Sequence, residues 1–150
     1  MNSYRAAVLA VASALLVLAA SPAFACKCKE MSAEQSFASS DLVLKGRMKS
    51  VTVGVEMPDP KLFDGQRQVR GEFEIDKVLK GTVKGKSLSV YTGFGNGDCG
   101  RLGEFVGATY LYRDQKMGVV EFGMTKTELA GQTLYFTGIC DYAKFPEGGQ

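Results

Sequence analysis

The 150-residue sequence contains no histidine. This absence excludes a Ser-His-Asp or Cys-His catalytic site, the H-E-x-x-H zinc helix, and histidine as a general base or metal ligand. Tryptophan is absent as well, and neither sign of charge predominates, with 18 basic against 16 acidic residues. A chain with this balance lacks the basic footprint of proteins that bind nucleic acids or membrane surfaces. We therefore expect no nucleic-acid partner.

Long hydrophobic runs are missing except near the amino terminus. Ala6–Ala20 is an apolar stretch of 15 residues, and the small-x-small pattern Ala23-Phe24-Ala25 follows it. This combination is typical of a secretory signal peptide cleaved after residue 25, and 15 residues are fewer than the roughly 20 that span a bilayer. The sequence predicts a signal peptide at 1–25 and one domain at 26–150, without a membrane span and exported to the extracellular space or periplasm.

A second processing route would also end at Cys26. In bacterial lipoproteins, a cysteine directly after the leader carries the lipid, so lipid modification of Cys26 is an alternative. Such leaders usually have Leu where Ala23 stands, and Phe24 fits the ordinary leader-peptidase pattern better. The sequence therefore favours a free amino terminus at Cys26.

Cysteine is scarce, and all four cysteines follow the leader: Cys26, Cys28, Cys99 and Cys140. Export places them in an oxidising compartment, where disulfides form. In an extended backbone, residues two apart are separated by about 6.6 Å at Cα, so Cys26 and Cys28 do not suit each other as disulfide partners. Each is expected to pair with a distant cysteine, which leaves two pairings open. A four-cysteine zinc site is less favoured, because the spacing is C-x-C rather than C-x-x-C.

The apolar pattern of the exported part is mainly β. Apolar residues at every second position from Val69 to Ile75 alternate with charged residues, which is the period of a strand with one buried face. Five or six strands at even spacing favour a small closed barrel, because closure removes exposed sheet edges. The other predicted strands are 41–53 with a bulge at Gly46, Ser87–Gly93, Phe105–Tyr112, Thr133–Cys140 and a short one at Val119–Phe122.

A short helix precedes these strands. Ser32 and Gln35 match the Ser-x-x-Gln capping box, which predicts a helix over Ala33–Ser39 with Phe37 as its buried residue. The glycine-rich stretch GFGNGDCG lacks the spacing of a dinucleotide site. It is interpreted as a tight turn that positions Cys99.

Three acidic residues, Glu72, Glu74 and Asp76, are the nearest approach to a catalytic set. Glycoside cleavage uses two carboxylates that face each other across a gap. These residues instead alternate with buried positions on one strand, so we expect them on its outer face. The sequence predicts that the protein is not an enzyme.

The mature amino terminus is the remaining candidate group. A free α-amino group has a pKa of about 7.7 to 8.0, so part of it is uncharged near neutrality. With its own carbonyl oxygen it can close a five-membered chelate ring on a metal, and such a chelate could displace the water on a protease zinc. Disulfides at Cys26 and Cys28 would fix the direction of the chelate and reduce the entropy lost on binding.

Several segments together resemble a known family. The start Cys26-Lys27-Cys28 and the motifs EQSFASSDLVLKGRM, EFEIDKVLKG, VYTGFGNGDCG and LYFTGICDY are similar, in this order, to the amino-terminal netrin-like (NTR) domain of the tissue inhibitors of metalloproteinases (TIMPs). The C-x-C start directly after the leader is the most specific part. The resemblance implies a single-domain, bacterial-type member with a five- to six-stranded OB-fold-like closed β-barrel, one or two short flanking helices and two disulfides.

The resemblance also implies a role for each residue of the amino-terminal segment. In that family, the mature cysteine chelates the protease zinc through its amine and carbonyl, so Cys26 would bind the zinc of the target. Lys27 would enter the specificity pocket of the protease. Cys28, Lys29 and Glu30 would complete an inhibitory ridge, which we define as residues 26–30.

Disulfides would join Cys26 to Cys99 and Cys28 to Cys140, as the resemblance implies. The implied protein is a secreted, monomeric inhibitor whose partner is a zinc metalloproteinase. It would carry no cofactor of its own and would contact the zinc of the protease in trans. The family usually has Ser or Thr where Lys27 stands, and a long cation suits a pocket with acidic groups. The alternative is a non-inhibitory NTR-type binding or surface module, either unanchored or held to a membrane as a lipoprotein through Cys26.

Overall fold

The computed structural model describes residues 26–63 and 65–146, so the predicted leader at 1–25 lies outside the described residues. Within these ranges the chain forms two α-helices, a 3-10 turn and six strands. In chain order they are α1 (Ala33–Ser39), β1 (Leu42–Val55), the 3-10 turn (Pro60–Phe63), β2 (Gln68–Lys80), β3 (Ser87–Thr92), α2 (Leu102–Tyr110), β4 (Val120–Leu129), β5 (Gln132–Phe136) and β6 (Ala143–Lys144).

Five strands close into a ring. The hydrogen-bonded order is β1-β2-β3-β5-β4, and β4 also pairs with β1, while β6 adds to the outer side through β4. Strands β3 and β5 run parallel, and the other pairings are antiparallel. A five-stranded ring of this order, with a helix between β3 and β4, is an OB-fold-like barrel. The mainly β closed barrel is therefore confirmed.

The hydrophobic core fills this barrel. Phe73 and Phe122 meet across it with ring centroids 5.9 Å apart, and Phe105 of α2 packs on Phe122 at 5.6 Å. Edge-to-face and tilted contacts of this kind stabilise aromatic pairs beyond the burial of their area. The fully packed cluster consists of Leu42, Leu44, Met48, Val69, Phe73, Val90, Phe105, Ala108, Val120, Phe122 and Met124.

Three local predictions are confirmed by the structure. The capping box of α1 forms, with the Gln35 backbone N–H donating to Ser32 Oγ at 3.2 Å and the Ser32 N–H donating to Gln35 Oε1 at 2.9 Å. The register of β1 against β2 shifts between Lys45 and Gly46, as expected for a bulge. Along β2, Val69 and Phe73 are fully buried, which matches the predicted alternation.

The predicted strand over Phe105–Tyr112 is wrong, because this segment forms α2. Its β-branched and aromatic residues favour a strand locally, but Phe105 and Ala108 are buried three positions apart, as on one face of a helix. Packing onto the barrel thus outweighs local preference. In α1, Ser36 rather than Phe37 is the buried residue.

The ends of the last strands also differ from expectation. The short strand predicted at Val119–Phe122 continues to Leu129 as β4. The strand predicted over Thr133–Cys140 ends at Phe136, so Cys140 lies in the turn that follows β5.

Candidate functional site

The segments that carry Cys99 and Cys140 leave the barrel at the same rim. Strands β3 and β5 are parallel neighbours, paired through Val90 with Tyr135 and Tyr91 with Phe136. The loops that follow them therefore start side by side. The Ile139 N–H donates to the Cys99 carbonyl oxygen at 2.9 Å, which joins the two loops directly.

Both disulfides tie the amino-terminal segment to this rim. Cys26 is bonded to Cys99 and Cys28 to Cys140, with Cα–Cα distances of 5.4 and 5.2 Å. This pairing is the one that the family resemblance implies, and it is confirmed. The bonds link residues 73 and 112 positions apart, and in the chain-entropy model each such closure stabilises the fold by at most about 4 to 5 kcal/mol. Two disulfides are typical of proteins that fold outside the reducing cytosol.

The five residues of the predicted ridge lie together at the surface. Cys26 is half-buried, whereas Lys27, Cys28, Lys29 and Glu30 are exposed, and the segment has no regular secondary structure. Among the described residues, no ion pair involves the ridge side chains. The ridge is thus fixed by covalent bonds at two of its five residues and open to solvent between them.

Backbone strain marks the loop that receives Cys26. Cys99 has a φ of 59°, a left-handed conformation that side-chain-bearing residues rarely adopt. The loop that bends into this shape is held by Asp98, whose carboxylate accepts hydrogen bonds from the backbone N–H groups of Phe94, Gly95 and Gly100 at 2.6, 2.6 and 3.0 Å. Strained residues held in place by their surroundings cluster at functional sites.

The Asp98 carboxylate is stabilised in its charged form. Partial burial raises its pKa, but the three backbone donors together outweigh burial, so the pKa of Asp98 lies below its ordinary value. The loop is therefore held most firmly when Asp98 is ionised.

Arg101 joins the loop after β3 to the turn after β5. Its side chain is buried, and it donates from Nε to the Gly138 carbonyl at 2.6 Å and from Nη2 to the Asp141 carbonyl at 2.7 Å. Nη1 is paired with Glu104, and the guanidinium lies 5.7 Å from the centre of the Phe122 ring. A planar guanidinium with several fixed donors suits such a junction. Arg101 thus positions the turn that carries Cys140 against the loop that carries Cys99.

The acidic residues of β2 are partnered on the outer face, as predicted. Glu72 accepts from the Ser89 hydroxyl at 2.9 Å and Glu74 from the Tyr112 hydroxyl at 2.5 Å, while Asp76 lies 3.7 Å from Arg47. The hydrogen bond to Glu74 raises the pKa of Tyr112. Along β2 these carboxylates alternate with more deeply buried positions, and Glu72 and Glu74 line one surface pocket together with Lys49 and Lys86.

The sequence analysis predicted the ridge but did not identify two groups that position it, Asp98 and Arg101. Asp98 stands in a glycine-rich turn directly before Cys99, and Asp commonly bonds backbone groups in turns, so a local signal was present. Arg101 contacts carbonyls nearly forty positions away in the chain, and no local pattern announces such contacts.

No protein-family model matches the chain, and no curated protein gives a significant match. Across the described ranges, no group of three or more His, Cys, Asp or Glu side chains could hold a metal ion. Neither α1 nor α2, the helices in the described part of the chain, is long and apolar enough to cross a membrane.

Proposed function

We propose that the protein is a secreted inhibitor of zinc metalloproteinases that acts without turnover. After cleavage behind Ala25, the new α-amino group and the carbonyl oxygen of Cys26 would bind the zinc of the protease. This chelate would replace the water that the enzyme needs for hydrolysis. The family resemblance of the C-x-C start supports this function, and so does the position of the ridge.

One observation carries the proposal: two disulfides hold Cys26 and Cys28 on one rim of the barrel. A flexible terminus would lose conformational entropy when it bound a metal, whereas a segment fixed at both cysteines has lost most of it already. The strained Cys99 and the Arg101 contacts make this anchor rigid. A ridge that is covalently fixed and still exposed is suited to enter a cleft.

Lys27 extends from the exposed part of the ridge, between the two fixed cysteines. In the proposed complex its side chain enters the specificity pocket next to the zinc. A flexible cation favours a pocket with acidic groups and disfavours an apolar one, because an unpaired buried charge is costly. Lys29 and Glu30 would contact the rim of that pocket.

The free amine of Cys26 is the group to test. We expect the protein that starts at Cys26 to inhibit a susceptible member of a zinc metalloproteinase panel stoichiometrically. One alanine added before Cys26, or acetylation of the amine, should weaken inhibition by about 30- to 1,000-fold, which corresponds to a central binding contact of about 2 to 4 kcal/mol. The measurement is the inhibition constant of each form against the same protease.

A matched control adds one alanine after Gln150 and should leave inhibition unchanged. Both extended forms should keep the two disulfides and the thermal midpoint of the unextended protein. Equal inhibition by the form extended at Cys26 would contradict the chelate. Mass spectrometry of the exported protein gives a second test, because a diacylglyceryl group on Cys26 would show the lipoprotein route instead.

A further inference from the structure

A cleft of about 380 Å³ opens beside the disulfide between Cys26 and Cys99. It lies between the loop after β3, the turn after β5 and the segment that leads into β2. Cys99 lines the cleft and also anchors the ridge, so the two surfaces are continuous. A partner seated on the ridge would therefore lie next to the cleft.

The polar lining of the cleft includes a hydroxyl without a partner. Thr137 lines the cleft, is only 3% exposed, and its Oγ1 has no hydrogen-bond partner among the described residues. Buried hydroxyl groups in native proteins are nearly always hydrogen-bonded, so an exception calls for an explanation. A donor from a bound group would supply the missing bond.

The lining is acidic. Asp98 and Asp141 contribute carboxylates, and no Lys or Arg is among the described residues that line the cleft. Asp98 is occupied by its three backbone donors. Asp141 accepts the Gly138 N–H on Oδ2 at 2.6 Å, and an ionised carboxylate can accept further bonds on its other oxygen.

One wall of the cleft is aromatic. Phe63 and Phe136 both line it, and their rings are stacked with centroids 5.6 Å apart and planes inclined by 22°. A flat cation is attracted to the face of an aromatic ring. An aromatic wall, a carboxylate and an unpaired hydroxyl acceptor together match a guanidinium, which is planar, charged and carries several donors.

We propose that this cleft binds an arginine side chain of the partner protein, next to the contact made by the ridge. The guanidinium lies against the phenylalanine wall, donates to the Asp141 carboxylate and donates to Thr137 Oγ1. The inference deepens the proposed function and rests on it for the identity of the partner as a metalloproteinase. A protease would then be selected by a basic residue near its active-site entrance as well as by its zinc.

The probe is Nα-acetyl-arginine methylamide, titrated into isotope-labelled protein that starts at Cys26 and followed by amide chemical shifts. We expect saturable shifts at Thr137, Gly138 and Asp141 with a Kd on the order of a few millimolar, as for a single side chain. The citrulline derivative has nearly the same shape but no charge, and it should bind at least ten-fold more weakly. Equal shifts with both compounds, or shifts only outside the cleft, would overturn the proposal.

Variants test the same contacts. Asp141→Asn removes the charge but keeps an oxygen for the Gly138 N–H, and it should weaken binding of the arginine derivative at least five-fold. Thr137→Val keeps the side-chain shape and should weaken it about two- to five-fold. Asp76→Asn makes the same charge change on the outer face of β2 and should leave binding unchanged. If Asp76→Asn weakens binding as much as Asp141→Asn does, the arginine derivative responds to the overall charge of the protein and not to a contact in the cleft, which would contradict the proposal.

The two proposals can fail separately. The protein with an alanine before Cys26 should bind the arginine derivative as the unextended protein does, because the cleft does not use the amine. Conversely, loss of inhibition on extending the amino terminus does not depend on Asp141. Binding of the derivative without inhibition of any protease would leave the cleft assigned and the proposed function contradicted.

Discussion

The Arg101 side chain concentrates several roles at one buried position. It is 4% exposed, yet its guanidinium satisfies two carbonyl oxygens on the turn that carries Cys140. Removing one member of a buried polar network leaves the remaining groups without partners, which destabilises the fold by more than the net free energy that the bonds contribute. The position of the ridge thus depends on a residue that never reaches the surface.

Arg101→Lys should destabilise the protein by about 2 to 4 kcal/mol, because an ammonium group cannot reach both carbonyls in the same plane. The measurement is the free energy of unfolding in urea. Arg47→Lys is the matched control, since Arg47 makes only a partly exposed contact with Asp76, and it should cost less than about 1 kcal/mol. Similar losses of unfolding free energy in both variants would show that the buried contacts of Arg101 contribute no more to stability than the partly exposed contact of Arg47.

The contribution of Asp98 to the stability of the protein should depend on pH. Because its pKa is lowered in the folded protein, its contribution is present above the unfolded pKa of about 3.9 and is lost as the pH falls through the lower folded value. Because Asp98 is exposed and water screens its charge, Asp98→Asn should destabilise the protein by less than about 1 kcal/mol near neutrality, and the difference should shrink below about pH 4.

Thermal or urea unfolding between neutral and acid pH measures this difference for Asp98→Asn. Asp114→Asn serves as the comparison, because Asp114 also accepts two backbone N–H groups and its pKa is also lowered, but it lies in the loop after α2. Both variants should show the same pH trend, while only Asp98→Asn should weaken inhibition. A constant difference between wild type and Asp98→Asn at all pH values would contradict the assignment.

Helix α2 shows how far an element can depart from its local preference. It contains two glycines, Gly103 and Gly107, at exposed positions where an added β-carbon would meet nothing within 4 Å. Glycine in a helix interior costs about 0.5 to 1 kcal/mol relative to alanine. The helix therefore persists through the packing of its inner face on the barrel.

Gly107→Ala should stabilise the protein by about 0.5 to 1 kcal/mol, since the site is open and the backbone is already helical. Denaturant unfolding measures the change. Gly46→Ala is the opposite case, because a β-carbon at Gly46 would overlap the Glu74 carbonyl oxygen and contact the Phe73 ring, and it should destabilise the protein. A neutral or unfavourable effect of Gly107→Ala would mean that something packs against this face.

These elements also show what a sequence can predict. The α1 capping box and the β2 alternation depend on neighbours within a few residues, and both predictions were confirmed. The identity of α2 depends on Phe105 entering a barrel built by distant strands, so a local reading of its composition gave a strand. Leu102, Phe105 and Ala108 are apolar residues three positions apart, as on one face of a helix. This spacing was the signal that could have predicted α2.

The candidate site likewise has one part that could be predicted from the sequence and one part that could not. The ridge could be predicted because its C-x-C start is a local pattern, and the pairing of its cysteines came from the family resemblance. The cleft could not be predicted, because Phe63, Thr137 and Asp141 converge only when the ring of strands closes. A pattern within one segment can be recognised in a sequence, whereas a pocket made by several loops cannot.

At the scale of the whole molecule, two disulfides hold the ridge, and the contribution of each bond should be measurable by itself. The double variant Cys28→Ala/Cys140→Ala keeps the bond at Cys26 and leaves the barrel core untouched. We expect the same far-ultraviolet circular dichroism, a loss of stability of at most about 4 to 5 kcal/mol, and inhibition weakened by about ten-fold or more as the segment regains freedom.

Unfolding curves and inhibition constants measure both effects in the double variant. The wild-type protein with both bonds intact is the reference, and protein assayed under full reduction gives the lower limit. Undiminished inhibition by the double variant would show that one bond is enough to orient the ridge.

The long reach of the two bonds also sets an order of events during biosynthesis. Cys26 and Cys28 are translated before most of the domain, but their partners follow 73 and 112 positions later. At ordinary translation rates this interval lasts on the order of ten seconds, so neither bond can form until most of the domain has been made. The part of the chain made first is therefore fixed last, and the yield of correctly joined protein should depend on catalysed disulfide exchange.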